Sequence, residues 1–408
     1  MSPVETRTPP ARRGLLSNPS GVMIGLLIGV RVLIAGLDLG HTGGLSDDVD
    51  VRRFVQIVDT PGRAYRDFPV EYMPLELIAI HGLVGGSLDG TFQRVVALSL
   101  LCDLLAFAGI WYGWGKRPAA LYLVFGLPLL TFLYFRFDPV AVAMAVWGFA
   151  LARRGRDDSG GAVLAAAALT KLWPIALLPA LAIERRWRAG AWAAGVLILG
   201  GALWIAYGGV DAIHQVATFR GATGWEVEST IGDLVWIVTG GPIRLEAGST
   251  RVGVIPGWAR AGLSLLLVAA IVAVWRVAAR RWPAGDGPLG PGSLGGPALA
   301  ALGALLALSP LFSIQYAAWI VPWAALAATS TDRKIARYGF GAVLLTGVIA
   351  MELVSLEGSP SAWEFSVAQS VILVRNAICL ALPLIYLRST SPRAAPVDAG
   401  MPGGQSAG

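Results

Sequence analysis

Long apolar runs, repeated along most of the chain, are the feature that most limits how this sequence can fold. Residues 21–39, 92–112 and 191–207 are three such runs, and each carries few charges. A transmembrane helix needs about 20 mainly apolar residues. Only 14% of the 408 residues are charged, against about 25% in an ordinary soluble domain. The sequence therefore predicts an all-α polytopic membrane protein.

Clusters of Lys and Arg between the apolar runs predict which side of the membrane each loop faces. Short cytoplasmic loops carry an excess of these residues, and residues 153–156 and 185–188 are such clusters. The rule places an N-terminal tail (1–20) and a C-terminal tail (388–408, predicted to be disordered) in the cytoplasm. Between them, residues 21–387 form one domain of about 12 spans. Because the basic residues act as orientation signals, the net charge of +6 does not indicate nucleic-acid binding.

Two segments depart from a simple series of spans. Residues 73–88 are apolar but short and contain a Gly pair, and we interpret them as a helix that dips into the membrane from an external loop of about 40–91. The segment 160–183 has basic clusters at both ends and Lys171 and Pro174 in its middle. A broken hairpin whose apex faces outward keeps both clusters on the cytoplasmic side. A second external loop is predicted at about 208–255.

The most polar stretch, residues 45–76, lies in the first external loop and opens with three acids. Acids are favoured in the first turn of a helix, which is the ordinary role for Asp47 and Asp48. With about 100° between successive residues, Asp50 lies at the edge of an apolar arc that includes Phe54. A carboxylate held against apolar packing suits a general base that acts on a hydroxyl. Asp50 is therefore the first candidate base, and Asp48, at the other edge of the arc, is the second.

Lys171 is one of three lysines in the chain and lies in an apolar segment. Charges inside a membrane are costly and mark functional sites by default, and at an outward apex this ammonium suits the phosphate of a lipid as a point charge. The alternative is a lysine that reaches the membrane surface or pairs with a carboxylate. Arg53 has the ordinary alternative of a solvated ion pair. Arg136 and Asp138 are placed to pair with each other.

Further polar and aromatic residues lie where the chain re-enters the membrane and in later external segments. Carboxylates and aromatic faces are the usual means of binding sugar hydroxyls, although Tyr is also ordinary at a membrane surface and acids also position loops. The His and Cys residues show no metal-ligand spacing, so no metal site is predicted. The candidates are Tyr65, Asp67, Glu71 and Tyr72 in the first loop, and Asp138, Trp225, Glu228, Gln315 and Tyr316 in later segments.

Taken in order, these motifs resemble a known family, the actinobacterial GT-C glycosyltransferases. The nearest group is the polyprenol-phosphate-mannose-dependent mannosyltransferases that include the phosphatidylinositol-mannoside enzyme of mycobacteria. The resemblance covers nearly the whole chain, with Met73 where the family has Pro and Ile314 where it has Pro before Gln. These departures bear on the acceptor more than on the class. The motifs are Asp50-Val51-Arg52-Arg53-Phe54, Tyr65-Arg66-Asp67-Phe68, Glu71-Tyr72-x-Pro74, Arg136-Phe137-Asp138, Lys171-x-x-Pro174, Gly224-Trp225-x-x-Glu228-Ser229 and Ser313-x-Gln315-Tyr316.

The resemblance implies a GT-C-like bundle in the plasma membrane whose active site faces the extracytoplasmic side. Its substrates would be a polyprenyl-phosphate sugar donor and a lipid-linked or glycan acceptor hydroxyl, with inversion at the sugar and no nucleotide sugar. No cofactor is identified from the sequence, and metal dependence stays open. Asp50 would take the acceptor proton, and Lys171 with Arg53 or Arg136 would stabilise the leaving phosphate. The resemblance implies mannose, while glucose and arabinofuranose stay open.

Two other classes compete with a transferase. Secondary transporters and lipid flippases often show inverted repeats with sites at the membrane midplane, whereas this sequence shows no obvious halves and its acids cluster in an external loop. A membrane scaffold without catalysis would not need Asp50 against an apolar face. The transferase mechanism requires Asp50 and Lys171 on the same side of the membrane.

Overall fold

A computed structural model of the protein describes residues 19–40, 49–281, 288–355 and 362–389. Eight helical segments in these residues are long and apolar enough to cross a membrane, which confirms the predicted all-α polytopic class. The helices are α1 (Gly21–Gly40), α2 (Val49–Asp59), α3 (Pro74–Leu83), α4 (Leu88–Trp114), α5 (Lys116–Phe125), α6 (Leu130–Leu133), α7 (Asp138–Arg153), α8 (Asp157–Thr170), α9 (Pro179–Ile183), α10 (Trp187–Gly208), α11 (Asp211–Ala217), α12 (Thr230–Thr239), α13 (Gly257–Arg281), α14 (Pro291–Leu308), α15 (Val321–Ala328), α16 (Arg333–Ser355) and α17 (Ala362–Arg388).

The helices run between two ends of one bundle. We call the end that carries α2, α3 and the segment 209–256 the loop end, and the opposite end the basal end. At the basal end α4, α7 and α9 finish beside the start of α14; for example, Trp114 Nε1 donates to the Leu289 carbonyl at 2.8 Å. The shorter segments α7, α8, 173–183 and 314–328 run between the same two ends. They correspond to four of the twelve predicted spans, and the eight long apolar segments correspond to the other eight.

Proline explains why several passes are broken rather than continuous. Short 3₁₀ helices occupy Leu127–Leu129, Trp173–Leu177 and Ile314–Ile320, and Pro128 and Pro174 lie in the first two of them. Proline lacks an amide hydrogen and its ring clashes with the preceding turn. These breaks lie within or beside the predicted site segments, where they release the chain from regular helical geometry.

The first loop is built from two short helices. Helix α2 buries Val51, Phe54 and Ile57, the apolar arc that its sequence predicts. Helix α3 has ten residues, a length of about 15 Å, which is half of the roughly 30 Å hydrocarbon core of a membrane. It therefore does not cross, and the chain returns to the loop end before α4 begins.

The second loop contains a small antiparallel sheet that the sequence analysis did not predict. Its strands are β1 (Trp225–Glu226), β2 (Arg244–Glu246) and β3 (Ser249–Val252), in the order β1-β3-β2. Trp225 pairs with Val252 in the register of β1 and β3. Buried Trp225, Val227, Val252 and Ile255 form a separate small core beneath the sheet, so this loop has a defined shape of its own.

Candidate active site

An ion pair joins the first loop to the bundle at the loop end. Asp50, in the first turn of α2, places Oδ2 2.6 Å from Arg136 Nη1, in the turn between α6 and α7. The structure thus pairs Arg136 with Asp50, whereas the sequence had placed it beside Asp138. The carboxylate is about one-third exposed, so it is both neutralised by a guanidinium and open to a ligand.

A second ion pair holds Lys171 at the predicted hairpin apex. Helix α8 ends at Thr170 and a 3₁₀ helix begins at Trp173, which leaves Lys171 in extended backbone between them. Its Nζ lies 2.8 Å from Oε1 of Glu76, whose side chain is 1% exposed. Burial raises the pKa of Glu76 to about 7, although the adjacent ammonium opposes the shift. The carboxylate-paired alternative for this lysine is therefore the one seen in this structure.

Asp138 and a stack of aromatic rings line the neighbourhood of this lysine. Asp138 is buried at the start of α7 and accepts a hydrogen bond from Trp319 Nε1 at 2.6 Å. The Trp319 ring stacks on Tyr316, with 4.2 Å between centroids, and on Trp173, with 5.6 Å. Asp138 and Tyr316 are close enough to interact electrostatically with the Lys171 ammonium. The result is a flat apolar wall beside a cluster of charges.

Arg53 belongs to a different group of charges. Its Nη2 lies 3.1 Å from Oε2 of Glu71, and Nε of Arg220 lies 3.2 Å from the same oxygen. Arg53 also donates to the Pro69 carbonyl at 2.7 Å. Arg220 and its neighbour Phe219 both have left-handed backbone, with φ of 60° and 51°, which costs energy in residues other than Gly. Buried Glu71 thereby ties the first loop to the second.

Three of the predicted substrate-binding residues have contacts that shape the loops. The hydroxyl of buried Tyr65 donates to the Tyr72 carbonyl at 2.6 Å, and Asp67 Oδ2 accepts the Arg63 amide at 2.6 Å. Trp225 lies in the core beneath the small sheet. By contrast, the ring of Tyr72 faces the Lys171 ammonium, with 5.7 Å from Nζ to its centroid.

Two acids of the second loop connect it to the rest of the site. Glu226 is buried; its carboxylate accepts the Phe312 amide and the Ser313 hydroxyl, the latter at 2.6 Å, and so holds the segment before half-buried Gln315 in place. Burial raises the pKa of Glu228 above its ordinary value, and the charge of Glu226 adds to that rise. The positive charges of Arg375 and Arg136 oppose it.

Several of these residues were not found from the sequence. Glu76 lies in the apolar run of α3, and the rule that selected Lys171, a charge inside an apolar segment, applies to it equally. Arg375 is a further charge within an apolar run, and it reaches Glu228 of the second loop at 3.8 Å. Arg220 and Glu226 carry no such signal. Asp48 lies outside the described residues and stays a prediction.

The sequence matches the model of glycosyltransferase family 87 over residues 91–289, slightly less than half of the chain. That range includes Arg136, Lys171 and Glu228 but neither Asp50 nor Tyr316, so it is narrower than the resemblance described above. No curated protein sequence matches the chain. The family match supports a membrane glycosyltransferase of the GT-C type, and the eight apolar helices agree with a multi-pass membrane protein.

Proposed function

We propose that this membrane glycosyltransferase moves a sugar, mannose by resemblance, from a polyprenyl-phosphate donor to a hydroxyl of a lipid-linked or glycan acceptor. Transfer takes place on the extracytoplasmic face of the plasma membrane, because the positive-inside rule puts the loop end there. The observation that carries the proposal is the convergence of Asp50, Arg136 and Lys171. A carboxylate and two cations from three separate segments meet at one end of the bundle.

The reaction needs one proton acceptor and one anion-stabilising group. The acceptor oxygen attacks the anomeric carbon of the donor from the face opposite the phosphate, and the carbon–oxygen bond to the phosphate breaks as the new bond forms. Asp50 takes the proton of the acceptor hydroxyl. The electron pair of the broken bond leaves on the polyprenyl phosphate, so charge and atoms balance, and the configuration at the sugar is inverted.

Arg136 serves both halves of this reaction. Its guanidinium lies 2.6 Å from the Asp50 carboxylate and neutralises it. An arriving phosphate competes for that guanidinium through strong charge-assisted hydrogen bonds. As Arg136 turns to the phosphate, the Asp50 carboxylate becomes available to a hydroxyl. Donor binding therefore activates the base.

Lys171 supplies the second positive charge to the leaving phosphate. A lysine ammonium acts as a compact point charge, and a fixed cation where negative charge develops lowers the barrier to its departure. Tyr72, Asp138 and Tyr316 lie near Lys171, and with Glu71 and Gln315 they are the residues proposed to bind the substrates. Because Arg53 is held by Glu71 and the Pro69 carbonyl, we assign it to positioning of the first loop and leave the phosphate to Lys171 and Arg136.

The test is sugar transfer from labelled polyprenyl-phosphate donors in membranes that carry the wild-type protein or the Asp50→Asn variant. Removal of a general base lowers the rate by about a hundredfold or more. Asp59→Asn, at the exposed end of the same helix, is the matched control and should transfer at the wild-type rate. Undiminished transfer by Asp50→Asn would contradict the assignment of the base and make Asp48 the residue to replace next.

A further inference from the structure

Buried polar groups without partners gather where α12 meets α17. Asp233, in the first turn of α12, is 0% exposed, and neither oxygen of its carboxylate has a hydrogen-bond partner among the described residues. Buried polar groups in proteins are almost always hydrogen-bonded, and an unpaired carboxylate is among the costliest exceptions. The position of Asp233 therefore calls for a ligand.

Arg375 faces the same place from α17 and is rigidly held. It is fully buried, its guanidinium carbon lies 3.9 Å above the centre of the Phe312 ring, and Nε and Nη2 donate to Asn376 Oδ1 at 3.1 and 3.0 Å. Nη2 also donates to the Glu228 carbonyl. Only Nη1 has no hydrogen-bond partner in the described part of the chain. Arg375 thus presents one fixed nitrogen with hydrogens to donate.

Two acceptors complete the group. Oε2 of Glu228 lies 3.8 Å from Arg375 Nη1 and, within the described ranges, accepts no hydrogen bond, as is also true of the Thr230 hydroxyl. The charge of Arg375 also acts on Asp233. A fixed donor thus lies beside the Glu228 carboxylate and within electrostatic range of Asp233. A hydroxyl, which both donates and accepts, can satisfy both kinds of group.

The local backbone fixes this arrangement before any ligand arrives. The Ser229 hydroxyl caps α12 by accepting the Gly232 amide at 3.1 Å and donates to the Glu226 carbonyl at 2.7 Å. A side chain at position 232 would put its first carbon 1.9 Å from that carbonyl, so only Gly lets the first turn lie so close. This turn sets the position of Asp233.

The charges select the class of ligand. Two acids beside one guanidinium leave no net positive charge, which disfavours a phosphate. The guanidinium, in turn, disfavours a metal cation, and the described residues contain no cluster of three or more His, Cys, Asp or Glu that could hold one. Neither of these electrostatic arguments disfavours an uncharged hydroxyl group. A sugar offers several of them at fixed spacing.

We infer that Glu228, Asp233 and Arg375 form a subsite for the hydroxyl groups of a sugar, next to the Asp50–Arg136 pair. Arg136 links the two, since it pairs with Asp50 and its charge also acts on Glu228. The inference rests on the proposed function, in which both substrates can carry sugar. The hydroxyls belong either to the sugar of the donor or to the sugar of the acceptor, and the experiment separates these sources.

Hydrogen exchange on the full chain in detergent measures occupancy of the subsite without turnover. The probes are polyprenyl phosphate, its mannose, glucose and arabinofuranose conjugates, and the three methyl glycosides. We expect a sugar-bearing probe to slow exchange in residues 228–236 beyond any effect of polyprenyl phosphate. Protection by a conjugate alone assigns the subsite to the donor sugar, and protection by a methyl glycoside assigns it to the acceptor sugar. Equal exchange with polyprenyl phosphate and with every sugar probe overturns the inference.

Asp233→Asn tests the same subsite in transfer. Loss of a hydrogen bond to a charged group weakens binding by about tenfold or more, so KM for the sugar-bearing substrate rises while the thermal unfolding temperature stays at or above that of the wild type. The matched control is Asp211→Asn, an exposed acid of the same loop. Glu228→Gln, at a position about one-fifth exposed, gives a second reading if Asp233→Asn fails to fold. KM values equal to the control in both variants overturn the subsite.

The two proposals fail in different ways. Sugar transfer that does not depend on Asp233 or Glu228 removes the subsite and leaves the proposed function intact. Sugar-dependent protection of residues 228–236 with no transfer from any of the three donors removes the proposed function and leaves a sugar-binding site.

Discussion

Two largely buried ion pairs have nearly the same nitrogen–oxygen distance. One joins Arg31 to Asp103 at 2.9 Å, and the other joins Lys171 to Glu76 at 2.8 Å. The first pair lies between two continuous helices, α1 and α4. The second lies at a break in the chain, where α8 has ended and the next 3₁₀ helix has not begun. The two ion pairs therefore have similar distances but different surroundings.

Arg31 and Asp103 make their other hydrogen bonds to groups within the bundle. Nη2 of Arg31 donates to the Leu123 carbonyl at 2.8 Å. The carboxylate of Asp103 also accepts the hydroxyls of Tyr122 and Tyr134, at 2.5 and 3.1 Å. This pair is closed, and its role is to hold helices together.

The Lys171 pair is open by comparison. Lys171 is about one-fifth exposed, and the carboxylate of Asp138 lies near enough to act on it as well as that of Glu76. One ammonium thus serves two buried acids in a place where the backbone is irregular. A charge inside a membrane bundle is therefore a candidate for binding when its partners are in excess and the chain around it is broken.

The largest expected effect is on stability, from breaking the closed pair. Arg31→Met leaves the Asp103 carboxylate buried without its cation, and loss of one partner from a buried pair costs about 3–5 kcal/mol. We expect a matching fall in the free energy of unfolding in detergent. The double variant Arg31→Met/Asp103→Leu should recover most of the loss, because apolar side chains replace such pairs well. Transfer per folded molecule should stay at the wild-type level, and a selective loss of transfer would show that this pair is not merely structural.

Breaking the open pair should act mainly on catalysis. Removal of one preorganised group that stabilises developing charge lowers the rate by about 10²- to 10³-fold, so Lys171→Met should lose that much transfer per folded molecule. The double variant Lys171→Met/Glu76→Leu should regain stability and remain inactive. Recovery of transfer in the double variant would make this pair a structural one like that of Arg31 and Asp103.

Much of the fold was predictable because its signals are local. The length of an apolar run and the charges beside it are read from a few residues at a time, and they predicted the polytopic helical class and the break at Lys171. The small sheet was not predicted, because its strands have two to four residues, too few for an alternating pattern to appear. Their pairing joins segments that are distant in the sequence.

The site was predictable only in part for a related reason. Asp50 and Lys171 stood out because each is a charge in an unusual place. Their partners are brought together by packing, so the sequence paired Arg136 with Asp138 instead of Asp50. Glu76 was within reach of the same reasoning as Lys171. Arg220 could not be predicted in this way, because its contact with Glu71 depends on a left-handed backbone that no residue pattern indicates.

The smallest expected effect is a pH dependence that only the open pair should show. Because burial raises the pKa of Glu76 to about 7, its carboxyl is mostly neutral below that pH and no longer holds the Lys171 ammonium. Above it, the carboxylate forms and competes with the donor phosphate. Because burial raises the pKa of Glu76 from its ordinary 4.5 to about 7, its contribution to stability is fully present below pH 4.5 and is lost as the pH rises to about 7. The donor is a phosphodiester and keeps its charge throughout.

The size of this pH effect on donor binding is limited, because a single carboxylate, that of Glu76, competes with the donor phosphate for Lys171. If donor binding requires a proton at Glu76, KM for the donor should rise by about tenfold between pH 6 and pH 8. Other groups that act on this carboxyl are Asp138 and Asp50, so the assignment needs the Glu76→Gln variant, in which position 76 cannot ionise. Donor KM measured across this range should then be flat and close to the acid value of the wild type. A tenfold dependence that survives in Glu76→Gln would move the titrating group elsewhere and leave Lys171 permanently paired.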